Sequence, residues 1–247
     1  MIKSKKLSRF KNIEHAFFNR LGGRSTGVFK SLNCGPGSSD KPKNILKNLE
    51  VVANKIKAKS KKIVLLKQVH SSKFCYIGKH SKLNNKFVGD ALVTDQKSVP
   101  IAILTADCAP ILLYDKNKEM VAAIHAGWKG AHKDIIIKVV KFMIKKGCLP
   151  KNITAAIGPC ISNKNYQVRE DFIKKFIKKD KKNIIFFKKT NNKNYFNLNK
   201  YVQFQLKSLN IKKLILLIKI HLMSKIIFLV QEDLLAAMRI IMVEIFQ

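Results

Sequence analysis

The chain has 247 residues, of which 47% are apolar and 9% aromatic, a composition that excludes an intrinsically disordered protein and allows one compact domain. Its formal net charge of +34 would favour nucleic acid or an anionic surface as partner, but only five of its 49 basic residues are arginine, the residue best suited to phosphate and base recognition. Abundant Lys, Ile and Asn together are typical of an AT-rich genome. We therefore predict no specific nucleic-acid partner and only weak, nonspecific attraction to anions.

The first part of the chain predicts a short strand, a loop region, a helix and a second strand. Residues 15–40, HAFFNRLGGRSTGVFKSLNCGPGSSD, begin with apolar residues and continue through glycine-rich turns. Apolar residues at helical spacing predict an amphipathic helix over about 41–59. The segment KIVLLKQVH, residues 62–70, predicts a strand that ends at His70.

Strands and helices continue to alternate in the rest of the chain. Residues 88–115 contain two β-rich runs separated by a turn at 95–98, and residues 120–128, MVAAIHAGW, predict another strand. A helix over 131–147 is expected to stop at Gly147, because glycine with Pro150 beyond it is typical of a helix C-terminus. A further strand in 152–161 and a helix in 169–179 complete a predicted single α/β or α+β domain.

The composition of the ends and the cysteine content predict a cytoplasmic protein with no membrane span. The first residues lack the apolar run and small-residue cleavage site of a secretory signal. Lysines interrupt the apolar stretch after Ile211, so no run reaches the ~18 residues that a span requires. The five cysteines are an odd number without a CxxC pair, which favours a reducing compartment.

Three residues at predicted strand ends have side chains that bind zinc: His70, Cys108 and His125. Two imidazoles and one thiolate would leave the fourth tetrahedral position open, as in catalytic zinc sites. Each residue also has a simpler interpretation, since single histidines are often hydrogen-bonded structural residues and single cysteines are often small buried side chains. Separations of 38 and 17 residues match no compact metal motif, so the spacing leaves both interpretations open.

Six motifs occur in order along the chain: FFNRLGGRSTGVFKSLNCG, KQVH, GDALVTD, TADCAPILLYD, AAIHAGWKG and IGPCISNKNYQV. They resemble the motifs of the multicopper polyphenol oxidase, or laccase-domain, family, whose YfiH-like members are also described as purine nucleoside phosphorylases. The resemblance covers about residues 13–215, and it implies a single-domain α/β (α+β) sandwich of mixed β-sheets flanked by helices. It also implies a zinc ion (Zn²⁺) bound by His70, Cys108 and His125. Copper fits less well, because laccase chemistry needs many histidines and this chain has six, two of them in the motifs.

The resemblance implies phosphorolysis of adenosine, inosine and S-methyl-5′-thioadenosine, with adenosine deamination as a second activity. Purine nucleosides and phosphate are then the expected partners, with the oligomeric state left open. Arg20 and Lys129, with the backbone amides of glycine turns, are candidates for phosphate binding. Asp107 is a candidate general acid or base, and Cys160 is a further candidate catalytic residue. Solvated charges for Arg20 and Lys129, a hydrogen bond that Asp107 accepts from a metal-bound histidine, and a Cys160 that only lines the pocket are the simpler alternatives.

The resemblance stops near Leu216, which divides the chain into a domain of residues 1–216 and a C-terminal segment of residues 217–247. Reading AT-rich codons for Phe228 through Phe246 in a shifted frame gives FFSSRRFISSNENYYGRNI, which contains the FFSYRR-like and YGRN-like motifs that close the family. We therefore predict a frameshift between about Ile215 and Lys225. The segment after Leu216 is then non-native, and its apolar character indicates no membrane contact.

Two other functions are compatible with the sequence. Within the family, one alternative is a cytoplasmic hydrolase that edits wrongly incorporated amino acids out of peptidoglycan precursors. A more distant alternative is a basic nucleic-acid-binding protein without catalysis, which would bind with a steep salt dependence and would not need His125.

Overall fold

A computed structural model of the chain describes residues 1–217, 226–231 and 238–242. Its helices are α1 (Pro42–Lys55), α2 (Trp128–His132), α3 (Ile135–Lys145), α4 (Glu170–Lys179) and α5 (Leu198–Ser208), with short 3-10 helices at Leu7–Arg9, Gly27–Phe29 and Lys181–Phe186. Its strands are β1 (Ile13–Asn19), β2 (Leu66–Lys67), β3 (Phe74–Ile77), β4 (Phe87–Val88), β5 (Ala91–Thr94), β6 (Pro100–Thr105), β7 (Ala109–Asp115), β8 (Met120–Ala126), β9 (Ile153–Ile157), β10 (Gln167–Val168), β11 (Phe187–Thr190), β12 (Lys193–Phe196), β13 (Lys213–Leu216), β14 (Ile226–Gln231) and β15 (Met238–Met242).

A six-stranded sheet lies at the centre of the fold, with strand order β13-β9-β7-β8-β5-β3. The four inner strands pair antiparallel, and β13 and β3 add at the two edges in parallel orientation. Strands β7 and β8 are buried along their whole length. Their nearly continuous apolar sequences are typical of strands covered on both faces.

Successive side chains of β7 point to opposite faces of this sheet and so join two different cores. Ile111 and Leu113 pack in one core with helices α3 and α5, while Leu112 and Tyr114 pack in the other with β1 and β6. The sheet is therefore covered by helices on one face and by a second sheet on the other. This arrangement confirms the predicted α/β sandwich.

The second sheet has the strand order β1-β15-β14-β6, with an additional direct pairing of β1 with β14, and α1 covers its outer face. Strand β14 runs antiparallel to both β1 and β6, because Ile226 pairs with Asn19 of β1 and with Thr105 of β6. Strands β1 and β6 therefore run in the same direction and end at the same edge of the sheet. Two smaller sheets, β2-β4 and β10-β12-β11, complete the fold.

The strand predicted for residues 62–70 is wrong in its extent. The structure contains only β2 and an isolated bridge at Val64, and His70 lies in a bend three residues beyond β2. The Gln68 side chain takes over the pairing, because it donates to the backbone oxygen of Leu104 at 2.7 Å and accepts from the Leu104 amide at 2.6 Å. The chain is thereby released from the sheet before it reaches His70.

The helix predicted for 131–147 is divided in two. Asp134 has a left-handed backbone with φ of 65°, which separates α2 from α3. Gly147 has φ of 90° and follows the last turn of α3, so the predicted stop is confirmed. Helix α2 begins at Trp128, immediately after the HAG tripeptide, and the helical region thus starts closer to His125 than the sequence pattern indicated.

The predicted C-terminal segment, residues 217–247, contains β14 and β15. The remainder of that segment after Leu217, and so most of the predicted frameshift interval, lies outside the described residues. The frameshift stays a prediction. Among the helices that the structure describes, none is long and apolar enough to cross a membrane.

Candidate metal centre

The fold brings His70, Cys108 and His125 together. Their potential ligand atoms all lie within 4.8 Å of one another. The two imidazole rings meet edge to face, with centroids 4.8 Å apart and an interplanar angle of 82°. His125 is buried, Cys108 is half-buried and His70 is exposed, so the cluster lies at the surface end of a buried strand and is accessible from one side.

Strand register explains why residues so far apart in the chain meet here. Strands β7 and β8 form a hairpin in which Ala109 pairs with Ala126 and Pro110 pairs with His125. Cys108 immediately precedes Ala109, and the thiol therefore reaches the end of β8 that carries His125. The bend after β2 then supplies His70 from a third direction.

Gly127 makes room for this cluster. A Cβ atom built at Gly127 would lie 2.8 Å from Cys108 Sγ and 3.3 Å from His70 Cδ2. A side chain at this position would push the two ligands apart. The glycine of the HAGW motif is thus required by the close approach of two side chains rather than by a turn.

We expect Gly127→Ala to weaken metal binding at least about tenfold while the protein stays folded, because the added methyl group overlaps the Cys108 sulfur and ligand positions tolerate only about 0.5 Å of error. Metal titration and thermal unfolding would measure the two effects. Gly37→Ala is the matched control, since a Cβ at Gly37 meets no atom within 4 Å. Equal metal affinity in the two variants would contradict this prediction.

The cluster shifts the acidity of its own members. Burial raises the pKa of the Cys108 thiol, but hydrogen bonds and charge from His125 and His70 outweigh burial and bring this pKa from 9.0 to about 7. Burial lowers the pKa of His125, but hydrogen bonds with Asp90 and Cys108 raise it to about 9. The metal-free site therefore favours a thiolate beside an imidazolium, and a metal ion would displace the imidazolium proton.

Asp90 is a site residue that sequence reasoning missed. Its Oδ1 lies 2.9 Å from Nδ1 of His125, and the two side chains are 0% and 3% exposed. Burial raises the pKa of Asp90, but the hydrogen bonds from His125 and Ser71 hold it below its ordinary value, so Asp90 is an ionised acceptor. A signal was available in GDALVTD, where an acid directly precedes a wholly buried strand, because buried carboxylates are rare unless paired.

Asp107 and Cys160 flank the cluster on the side of Cys108. Asp107 is exposed, and its backbone oxygen accepts a hydrogen bond from Ile161 at 3.0 Å, which ties the segment after β9 to this bend. Burial, followed by the charges of Cys108 and Asp107, raises the pKa of the Cys160 thiol. Cys160 is therefore a neutral thiol next to the cluster and not a fourth thiolate.

An aromatic wall, which we define as Trp128, Phe172 and Tyr166, borders the same region. The Phe172 ring lies 4.8 Å from Trp128 and 6.2 Å from Tyr166. Burial, then the charges of Cys108 and Asp107, raise the pKa of Tyr166, which keeps its hydroxyl neutral. Tyr166 was not singled out from the sequence, although it belongs to the IGPCISNKNYQV motif.

The two predicted phosphate-binding residues occupy different surroundings. Arg20 is half-buried and directly follows β1, which ends at the same sheet edge as β6. The end of β1 therefore lies two strand spacings, or about 10 Å, from the end of β6, where the Cys108 bend starts. Lys129 is exposed on α2, with its Nζ 5.7 Å from the centre of the Trp128 ring. Lys129 thus lies on a helix that begins next to the cluster, and Arg20 lies at the sheet edge where the Cys108 bend starts.

Comparisons with known proteins agree with this fold. The family described as multi-copper polyphenol oxidoreductase laccase matches residues 14–219. Hypothetical protein YfiH of Bacillus licheniformis superposes with a TM-score of 0.77 at 25% identity, covering 83% of this chain and 81% of that one. YlmD of Geobacillus stearothermophilus superposes with a TM-score of 0.75 at 22% identity, covering 86% and 82% of the two chains.

Similar proteins also occur among curated sequences. A protein named purine nucleoside phosphorylase from Bacteroides thetaiotaomicron is 32% identical over 186 residues, which are 72% of this chain and 69% of the relative. One of the same name from Deinococcus radiodurans is 37% identical over 164 residues, which are 66% and 63% of the two chains. With the family match extending over residues 14–219, this chain belongs to the multi-copper polyphenol oxidoreductase laccase family.

Proposed function

We propose that the chain is a purine nucleoside phosphorylase that works with one zinc ion held by His70, Cys108 and His125. The observation that carries the proposal is the convergence of these three ligand atoms within 4.8 Å, in a chain whose relatives bear the name purine nucleoside phosphorylase. The relatives' names support phosphorolysis as the reaction, and the three ligand atoms support a metal ion as part of the active site.

The donor set fits zinc. Zn–N distances of about 2.0 Å and Zn–S distances of about 2.3 Å place tetrahedral ligands roughly 3.5 Å apart. This separation falls within the 4.8 Å that encloses the ligand atoms of the cluster. One thiolate and two imidazoles suit one zinc ion better than several copper ions. The multicopper chemistry in the family's name needs more histidines than the cluster provides. Bound zinc would act as a Lewis acid and leave one coordination position for water or substrate.

Phosphorolysis requires the protein to bring phosphate to the ribose of a nucleoside. The bond between C1′ and the base nitrogen breaks, a bond between C1′ and a phosphate oxygen forms, and the base leaves with the electron pair and takes up a proton. Arg20 and Lys129 are our candidates to bind the phosphate dianion, since Lys129 is exposed on the helix that begins just after His125 and Arg20 lies at the sheet edge where the Cys108 bend starts. Fixed cations of this kind hold the nucleophile in line and offset its charge.

We assign proton transfer and binding of the purine base to the side of the cluster that carries Asp107, Cys160 and the aromatic wall. Asp107 is exposed next to Cys108, where a carboxyl group can exchange a proton with the leaving base. Cys160 carries a neutral thiol next to the cluster. The aromatic wall offers a stacking surface for a purine ring.

Within this proposal the substrates are adenosine, inosine and S-methyl-5′-thioadenosine, and hydrolytic deamination of adenosine is a second activity of the same site. We place the enzyme in the cytoplasm, because all five cysteines are free, which is typical of proteins in a reducing compartment.

The test is incubation of zinc-loaded protein with adenosine and phosphate, followed by chromatography. Adenine and ribose 1-phosphate should form in equal amounts, and arsenate in place of phosphate should release adenine and free ribose. Inosine formed without phosphate would report the deaminase activity separately. Absence of base release from all three nucleosides, with zinc bound in full, would overturn the phosphorylase assignment.

A further inference from the structure

The carboxylate of Asp90 contacts more of the metal cluster than His125 alone. Its Oδ1 accepts the backbone N–H groups of Val69 at 3.2 Å and His70 at 2.9 Å. Its Oδ2 accepts the backbone N–H of Ser71 at 2.6 Å and the Ser71 hydroxyl at 2.8 Å. Three consecutive amides and one hydroxyl therefore converge on a single, fully buried carboxylate.

These contacts hold the backbone of His70 in an unusual conformation. His70 has φ of 52°, in the left-handed region that is sterically unfavourable for an L-residue. Successive amides that curve around an anion form a nest, which is stable when the anion is present. Asp90 supplies that anion from inside the protein, and the bend directs the His70 side chain toward Cys108.

The same carboxylate determines which nitrogen of His125 is available. Because Nδ1 of His125 lies 2.9 Å from Asp90 Oδ1 and donates to it, Nε2 is left as the free ligand atom. A second hydrogen bond, from the backbone amide of His125 to the backbone carbonyl of Asp90 at 2.8 Å, holds the two residues in register. Asp90 thus contacts both histidines through groups that do not bind metal.

We propose that Asp90 is the positioning residue of the metal centre, which orients both histidine ligands at once: His70 through its backbone and His125 through its ring. This inference rests on the metal centre of the proposed function. Removal of Asp90 then disturbs two ligands of three, and a carboxylate behind a metal-binding histidine typically accounts for about 10- to 100-fold in metal affinity.

The experiment compares Asp90→Asn with Asp115→Asn. Asp115 is a matched control because it is also 0% exposed and also accepts backbone amides, those of Asn117, Lys118 and Leu149 at 2.9, 2.9 and 3.2 Å. Zinc affinity is measured by competition with a chromophoric chelator, and ligand geometry is measured by the visible absorption of the cobalt(II)-substituted protein. Neither readout depends on catalysis.

We expect Asp90→Asn to weaken zinc binding by about 10- to 100-fold and to shift the cobalt(II) bands, whereas Asp115→Asn lowers thermal stability without either change. Wild-type affinity and spectrum in Asp90→Asn, or equal losses in both variants, would overturn the positioning role. If Cys108→Ala also left zinc binding intact, the metal centre itself would be wrong. If only Cys108→Ala abolished binding, the centre would stand and the inference about Asp90 would fall.

A measurement on the unsubstituted protein covers the case in which Asp90→Asn does not fold. In the zinc-loaded protein, long-range ¹H–¹⁵N spectra should show the His125 ring proton on Nδ1 and the metal on Nε2. Metal at Nδ1 of His125 would contradict the proposal directly.

Discussion

Cys108→Ala is expected to lose the bound zinc, from about one ion per chain to none, and with it at least about 10³-fold in the rate of phosphorolysis. Removal of one of three protein ligands leaves two imidazoles, which hold zinc poorly, and Lewis-acid stabilisation of several kcal/mol is lost with the ion. Elemental analysis of the purified protein and chromatography of adenosine turnover measure the two losses.

Cys75→Ala is the control for that experiment. Cys75 is half-buried like Cys108, but it lies on β3, and its thiol donates to the backbone oxygen of Val88. The control should keep its zinc and its activity. Zinc retained by Cys108→Ala, or copper in place of zinc in the unsubstituted protein, would contradict the assigned centre.

Restoration of the predicted reading frame should have the second large effect. We expect the frame-restored chain, with FFSSRR and YYGRN near its end, to be more soluble and at least tenfold more active than the present chain. Strand β14 pairs with both β1 and β6, next to buried residues such as Phe18 and Leu104. A non-native sequence at such a central position misplaces apolar side chains and favours aggregation.

Zinc content separates this effect from damage to the metal centre. All three ligands precede residue 126, and both chains should therefore bind about one zinc, while activity differs. The nucleotide sequence provides the first check: an intact frame whose codons do not encode FFSSRR and YYGRN would refute the frameshift. Equal activity in the two chains would show that the altered segment is harmless.

Much of the fold could be predicted because its strands and helices have strong local patterns. The buried strands β7 and β8 are continuous apolar runs, and α3 has a helical period with a glycine stop. The prediction was wrong where a side chain replaced a backbone interaction, as when Gln68 pairs with Leu104 and ends the strand early. It was also wrong where a left-handed residue, Asp134, divides a helix without any change in hydrophobic pattern.

The candidate site, too, was predicted from the sequence only in part. The ligand types were present in the sequence as His70, Cys108 and His125, but their separations left a metal site and three unrelated structural residues equally open. The β7–β8 register, which places Cys108 beside the end of β8, is what brings them within ligand distance. Register depends on pairing between distant segments, and local periodicity does not encode it.

By itself, the sequence determined the alternation of strands and helices as far as about residue 179 and the residue types at the candidate metal centre, because both depend on residue type and local spacing. Only the tertiary structure decided that Asp90 contacts both histidines, that Gly127 leaves space for the Cys108 sulfur and that Arg20 leaves the same sheet edge as the Cys108 bend. Each of these is a contact or an alignment between segments that are far apart in the chain, and such geometry exists only once the sheets have formed.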